Sequence, residues 1–206
     1  MIALDHTVDQ TVDHITFVRL LRRNAAVFQA VFAVLWLVRL AFAGSAINTG
    51  AGVIGVTLLA GGTFTVVTGT RLAWRRANDV GVRARDAFRT PAGRAFMRPV
   101  TVITLVQLAG SIVLPWIAAA AGATEWVVPL VAITIGLFLV AFATPLQVPR
   151  VRWAGVVATI VPALVPLVAH GAAAVVAVSA TLGAALIASV WWCAVAPTSD
   201  PSASWG

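Results

Sequence analysis

The sequence predicts an all-α fold, a polytopic transmembrane bundle of six helices with the N-terminus and the C-terminus both cytoplasmic. Three observations predict it. The 206-residue chain is 60% hydrophobic and only 10% charged, whereas roughly a quarter of residues are charged in soluble proteins, so the surface it needs is lipid. Its apolar residues fall into runs of about 20, the length that crosses a hydrocarbon core of about 30 Å as a helix. Its 14 basic residues are all arginine and gather at alternate ends of those runs, which is how cytoplasmic connections are marked.

The chain opens with a charged leader, residues 1–23. It holds a small repeat, Asp5-His6-Thr7-Val8, Asp9-Gln10-Thr11-Val12 and Asp13-His14-Ile15-Thr16. On a helix this stacks the three aspartates on one stripe and Val8 with Val12 on another. His6, Asp9 and Asp13 have helical spacing for a metal, but exposed arrangements of this kind lack the fixed geometry a site needs. An amphipathic interfacial helix with an acidic first turn is the expectation.

The transmembrane domain then covers residues 24–196. The first span is expected at 24–47 and the second at 53–70, paired as a hairpin through a Gly-rich turn. The first run is too long for the h-region of a signal peptide and starts too far into the chain, so it should remain as a span. The third span, 100–122, and the fourth, 126–146, form a second hairpin across Thr124 and Glu125. Residues 153–196 make one apolar block, too long for a single crossing. Its polar break, His170-Gly171, divides it into spans at 153–169 and 172–194, and residues 197–206 form a cytoplasmic tail.

Arginine placement orients these spans. Arg19, Arg22 and Arg23 precede the first; Arg71, Arg75, Arg76, Arg83, Arg85, Arg89, Arg94 and Arg98 lie between the second and third; Arg150 and Arg152 lie between the fourth and fifth. All fall on one side, and Arg39 alone does not. Tryptophan, which prefers the headgroup level, agrees: Trp116 and Trp126 mark the outer interface, and Trp74, Trp153, Trp191 and Trp192 the inner one. The connection 71–98 sets eight arginines against Asp79 and Asp86, a net charge of +6. Thr90-Pro91 reads as an N-cap followed by proline at the first helical position, and Gly81 as a break, so short interfacial helices are expected there. Arg71, Arg75, Arg76, Arg83 and Arg85 are candidate contacts for anionic lipid head groups; the plainer reading is that they set topology.

Few groups inside the spans could carry function. Arg39 is the one ionisable residue within a span, near enough to the outer interface for its guanidinium to snorkel. The alternatives are a pair with Glu125 or an anion held in an outer vestibule. Span two interleaves glycine and threonine, and Gly61, Thr65 and Gly69 fall on one small-residue face suited to close helix approach. Ser179 and Gly183, with Ala180, Ala184 and Ala188, repeat the pattern in span six. Pro162 and Pro166 free carbonyls in span five. Two interrupted helices, one Gly-broken and one Pro-broken, at matched positions in two halves would point to a transporter site, with Gln107 as its polar neighbour.

Much chemistry is missing. No Asp or Glu lies in a span, so a carboxylate proton relay has no members. Cys193 is the single cysteine, which removes dithiol redox chemistry and intramolecular disulfides. Ser45 and Ser111 are isolated from any embedded histidine, and no HExxH or CxxC motif occurs. No catalytic, cofactor-binding or metal residue is assigned. The stretch VPLVAITIGLFLVAFATPLQVPRVRWAGVVATIVPAL, residues 128–164, with Pro145, Pro149 and the Trp153-x-Gly155 helix start, resembles a pattern in small uncharacterised six-span bacterial membrane proteins. That resemblance has no activity to carry over and implies the architecture alone.

The expectation is therefore a non-enzymatic, multi-pass protein of the bacterial cytoplasmic membrane, either a small transporter-like module or a scaffold. Arginine without lysine, amid abundant Ala and Val, is what GC-rich bacterial coding produces. Its partners would be the bilayer, anionic head groups and a second copy through small-residue faces, but not nucleic acid. The enzyme alternative needs Arg39, Glu125 and His170 to meet in an outward-facing pocket. The transporter version needs a polar cavity reaching Thr65, Gln107, Pro162 and Pro166.

Overall fold

The computed structural model describes residues 3–78 and 84–197, with side chains for 14–78 and 85–197. The leader residues His6, Asp9 and Asp13 as side chains, Asp79, Gly81 and Arg83 in the basic connection, and the tail from residue 198 lie outside these.

Among the described residues every regular element is helical. The helices are α1 (Ala3–Ile47), α2 (Thr49–Asn78), α3 (Ala84–Ala87), α4 (Pro91–Ala120), α5 (Val127–Leu146), α6 (Pro149–Val168) and α7 (Gly171–Val195), with a 3-10 turn at Thr124–Trp126. Six of them are long and apolar enough to cross a membrane. The chain is a multi-pass helical membrane protein.

α1 has 45 residues, about 68 Å at 1.5 Å per residue, more than twice a hydrocarbon core. Leader and first span are thus one continuous rod, since no Gly, Pro or capping break separates them. At its N-terminal end Phe17 and Leu20 are buried with Ala77 and Ala87 against Phe88 and Phe96. The Phe17 ring stacks on both phenylalanines, with centroids 6.0 and 5.6 Å away.

The turn to α2 differs from the Gly-rich loop expected. Asn48 is its single non-helical residue, and its Oδ1 accepts from Ala51 N–H at 2.8 Å, capping α2 at once. The glycines instead lie in the helix contact. A Cβ on Gly44 would stand 2.7 Å from the Ala51 carbonyl oxygen, and one on Gly55 2.7 Å from Ala41 Cα. Backbone meets backbone where α1 and α2 part.

The basic connection is largely helix as well. α2 and α4 have 30 residues each, about 45 Å, so both are longer than a hydrocarbon core of about 30 Å. One-turn α3 stands between them. Thr90 caps α4 as expected, accepting from Gly93 N–H at 3.0 Å with Pro91 next in line.

The His170-Gly171 break is a true turn: α6 ends at Val168, and Gly171, at φ 59°, starts α7. Neighbouring helices pack in the order α4, α5, α6, α7, α1, α2, with α7 also touching α2 and α5. α1, α5, α6 and α7 make the core through residues such as Ala26, Ala33, Leu139, Val151, Ala158, Leu182 and Val190. α4 rests on α5 and turns the rest of its surface outward. All the arginine-bearing helix ends thereby meet at one end of the bundle.

Candidate functional site

The centre of that end is Arg22. It lies on the inward stripe of α1 with Ala25, Gln29, Ala33 and Trp36, and is 4% exposed. Its Nε donates to the Leu146 carbonyl at 2.7 Å and Nη2 to the Gln147 carbonyl at 3.0 Å. Nη1 donates to Ala196 and Pro197 carbonyls at 2.9 and 3.2 Å. One guanidinium therefore fastens the C-terminal ends of α5 and α7 to α1. Burying a cation costs several kcal/mol. Four charge-assisted bonds of about 1.5–3 kcal/mol each, and the partial negative charge of two helix C-termini, offset that cost.

Gln147 is shaped for this contact. α5 closes in a Schellman turn, with Val148 N–H donating to Ala143 at 3.1 Å and Gln147 N–H to Thr144 at 2.9 Å. Gln147 consequently takes φ 52° and ψ 40°, the left-handed region, where a non-glycine residue costs about 1–2 kcal/mol. Its carbonyl then faces Arg22, and its Nε2 lies 2.9 Å from His14 Nε2. The His14 ring sits edge-on to Phe96 at 5.7 Å.

Beside Arg22 opens a cavity of about 360 Å³ lined by Arg19, Arg22, Ala73, Arg76, Ala77, Cys193, Ala194, Ala196 and Pro197. Among the described residues no carboxylate lines it. Beneath it Cys193 is buried, with Sγ 4.0 Å from the buried Gln29 Oε1. Arg23 lies 4.6 Å above the Trp74 ring, at the level where α2 leaves its apolar run.

The residues singled out in the sequence do not converge. Arg39 is exposed, 5.9 Å from the Trp36 ring centroid, and Glu125 and His170 are exposed at separate turns. Among the described residues no hydrogen bond or ion pair joins these three. Thr65 donates to its own helix at Gly61. Gln107 donates to Ser111, whose hydroxyl meets Thr134 of α5 at 2.8 Å. The space at Gln107 is about 10 Å³, no more than one water requires. Pro162 and Pro166 are buried in the inward stripe of α6. Neither α2 nor α6 is broken: Gly61 and Gly62 are helical, as are both prolines. The paired interrupted helices are therefore not there, because helix packing absorbs the glycines and tolerates the prolines. Arg71, Arg75, Arg76 and Arg85 are exposed near the C-terminal end of α2 and on α3.

Sequence reasoning passed over Gln29 and Gln147, and read Arg22 only as a topology marker and Cys193 only as a lone thiol. Arg22, Gln29 and Trp36 recur every seven residues on one stripe with Ala43, a periodic signal legible along the chain. Gln147 had none, since its importance lies in a backbone conformation. Comparisons with protein-family models, with curated proteins and with solved structures give no match for this chain.

Proposed function

We propose that this protein is a non-enzymatic scaffold of the bacterial cytoplasmic membrane, with both termini in the cytoplasm, presenting an arginine platform to anionic lipid head groups. The observation that carries this reading is the gathering of arginines at one end of the bundle, tied there by Arg22. Positive charge at that density belongs on the cytoplasmic face and attracts an anionic leaflet by about 1 kcal/mol per residue near its surface. The engagement of the candidate pathway residues favours a scaffold over a transporter. Gln107, Thr65, Pro162 and Pro166 commit their polar capacity or surface to helix contacts, so these four residues do not line a common path.

Lipid retention tests it. Protein extracted from mixed bilayers should keep phosphatidylglycerol over phosphatidylcholine, and Arg71→Gln, Arg75→Gln and Arg85→Gln together should reduce that enrichment. Thiol labelling of Asn78→Cys should require a membrane-permeant reagent in intact cells. Equal retention of both lipids, or labelling of Asn78→Cys from outside, would overturn the reading.

A further inference from the structure

We infer that two copies of this chain associate in the membrane near the outer ends of their helices, with Arg39 of each copy facing Glu125 of the other. The inference stands apart from the lipid-platform reading, which concerns the opposite end of the bundle. It starts from the surroundings of Arg39. On α1 the exposed residues Val31, Leu35, Arg39 and Phe42 recur every three or four positions, so a guanidinium interrupts an otherwise apolar outward stripe. Among the described residues no hydrogen bond or ion pair holds it, and its aromatic neighbour Trp36 lies 5.9 Å away. A cation among acyl chains is disfavoured and draws an opposite charge. Glu125 is exposed in the turn between α4 and α5 and has no cation beside it in its own chain.

The two charges share a depth. Arg22 bonds the Leu146 carbonyl, which sets a common level for α1 and α5. Arg39 is 17 residues beyond Arg22, about 26 Å along α1, and the 20 residues of α5 place its start, next to Glu125, about 30 Å above Leu146. An arginine stem spans that small difference. Depth decides because copies inserted with one topology are related by rotation about the membrane normal, which leaves depth unchanged. Trp116 adds a second surface. Its ring is 70% exposed, and it lies five residues past Ser111, which meets Thr134, itself 12 residues before Leu146, so it too stands at about 26 Å. Guanidiniums stack on aromatic faces as well as pairing with carboxylates. Both halves of the contact open on one side of the bundle. Phe28, three turns below Arg39 on the same stripe, lies 6.3 Å from the Phe138 ring of α5 and borders one cavity with Val100 and Thr104 of α4. A face carrying both charges is self-complementary and closes as a twofold pair.

The test counts copies of the full-length protein by single-molecule photobleaching in phosphatidylcholine liposomes across a range of protein-to-lipid ratios. Wild type should form dimers. Arg39→Gln and Glu125→Gln should each raise the dissociation constant at least about tenfold, as expected for a lost charge-assisted contact. The two together should lose little more than either alone, since one partner is already gone. Arg39→Glu with Glu125→Arg should recover dimers that Arg39→Glu loses. A chain bearing Arg39→Cys, coexpressed with one bearing Glu125→Cys, should also crosslink through a short bismaleimide. Arg39→Cys with Val168→Cys, exposed at the outer end of α6, should crosslink far less. Arg39 and Glu125 are exposed, so their substitution does not threaten folding, and an unchanged thermal midpoint checks this. A chain monomeric at every ratio, dimers indifferent to both charges, or fully additive losses would overturn the inference. So would an Arg39 effect that appears only when phosphatidylglycerol is added, which would assign the guanidinium to a head group.

Discussion

A Cβ placed on Gly155 would stand 2.6 Å from the carbonyl oxygen of Gly136, so α5 and α6 cross with their backbones in contact. The same Cβ would lie 2.6 Å from Val140 N, and a Cβ on Gly136 would collide with Thr159. Neither helix can yield without shifting its other neighbours. Gly155→Ala should therefore cost about 1–3 kcal/mol through overpacking, read as a lower unfolding midpoint in detergent. Val157→Ala, on the outer face of α6, should change it little. Equal midpoints for the two variants would show that the crossing relaxes.

How much of this was legible in the sequence follows from what each feature depends on. Span number and pairing depend on hydrophobic run length and arginine position, and both can be read along the chain. Thr90-Pro91 was readable because a cap is local. The crossing at Gly136 and Gly155 was not, because it depends on which faces of two helices meet. Arg22 was readable as a charge but not as a clamp: its acceptors, Leu146 and Ala196, lie 124 and 174 residues away. The Gly61-Thr65-Gly69 face makes its close approach at Gly69 and not at Gly61, for a related reason. Four-residue spacing predicts one contact face there, whereas Gly61 meets nothing within 4 Å, Gly55 packs on α1, Gly62 on both α1 and α7, and Gly69 on α7.

α2 thus yields a contrast between adjacent glycines. A Cβ on Gly61 meets nothing within 4 Å, while one on Gly62 runs into Leu37 and lies 3.1 Å from Ile187. Gly61→Ala should be neutral or slightly stabilising, as alanine exceeds glycine in helix propensity by about 1 kcal/mol. Gly62→Ala should lower stability by about 1–2 kcal/mol, and a bulkier Gly62→Leu by more. Reversal of that order in thermal unfolding would return the contact to the Gly61 face.

The Arg22 clamp predicts a graded series. Arg22→Ala removes four hydrogen bonds to the ends of α5 and α7 and should cost about 3 kcal/mol or more. Arg22→Lys keeps the charge with three donors on one nitrogen, which cannot span four carbonyls, so it should fall between wild type and alanine. Arg23→Ala loses one cation–π contact with Trp74 and should cost about 0.5–1 kcal/mol. Chemical denaturation of all three would reveal whether Arg22 is a clamp; a cost for Arg22→Ala no larger than for Arg23→Ala would mean it is not.

The left-handed turn at Gln147 permits a sharper test, because backbone and side-chain contributions separate. Gln147→Ala and Gln147→Gly both remove the amide that meets His14, and both keep the carbonyl that accepts from Arg22. They differ in the freedom to hold φ 52°. Glycine adopts that angle without a Cβ clash, whereas alanine bears the left-handed penalty of about 1–2 kcal/mol. The glycine variant also has a floppier unfolded chain, which takes back part of the gain. It should thus be the more stable of the two by about 1 kcal/mol. Wild type should lie within about 0.5 kcal/mol of it if the His14 contact contributes as an ordinary hydrogen bond does, about 0.5–1.5 kcal/mol. His14→Ala in the Gln147→Gly background should then cost less than His14→Ala alone, since one partner is already gone. Finding the alanine variant as stable as the glycine one would show that α5 ends in another conformation in the membrane, and that Arg22 draws its Gln147 carbonyl from a different turn.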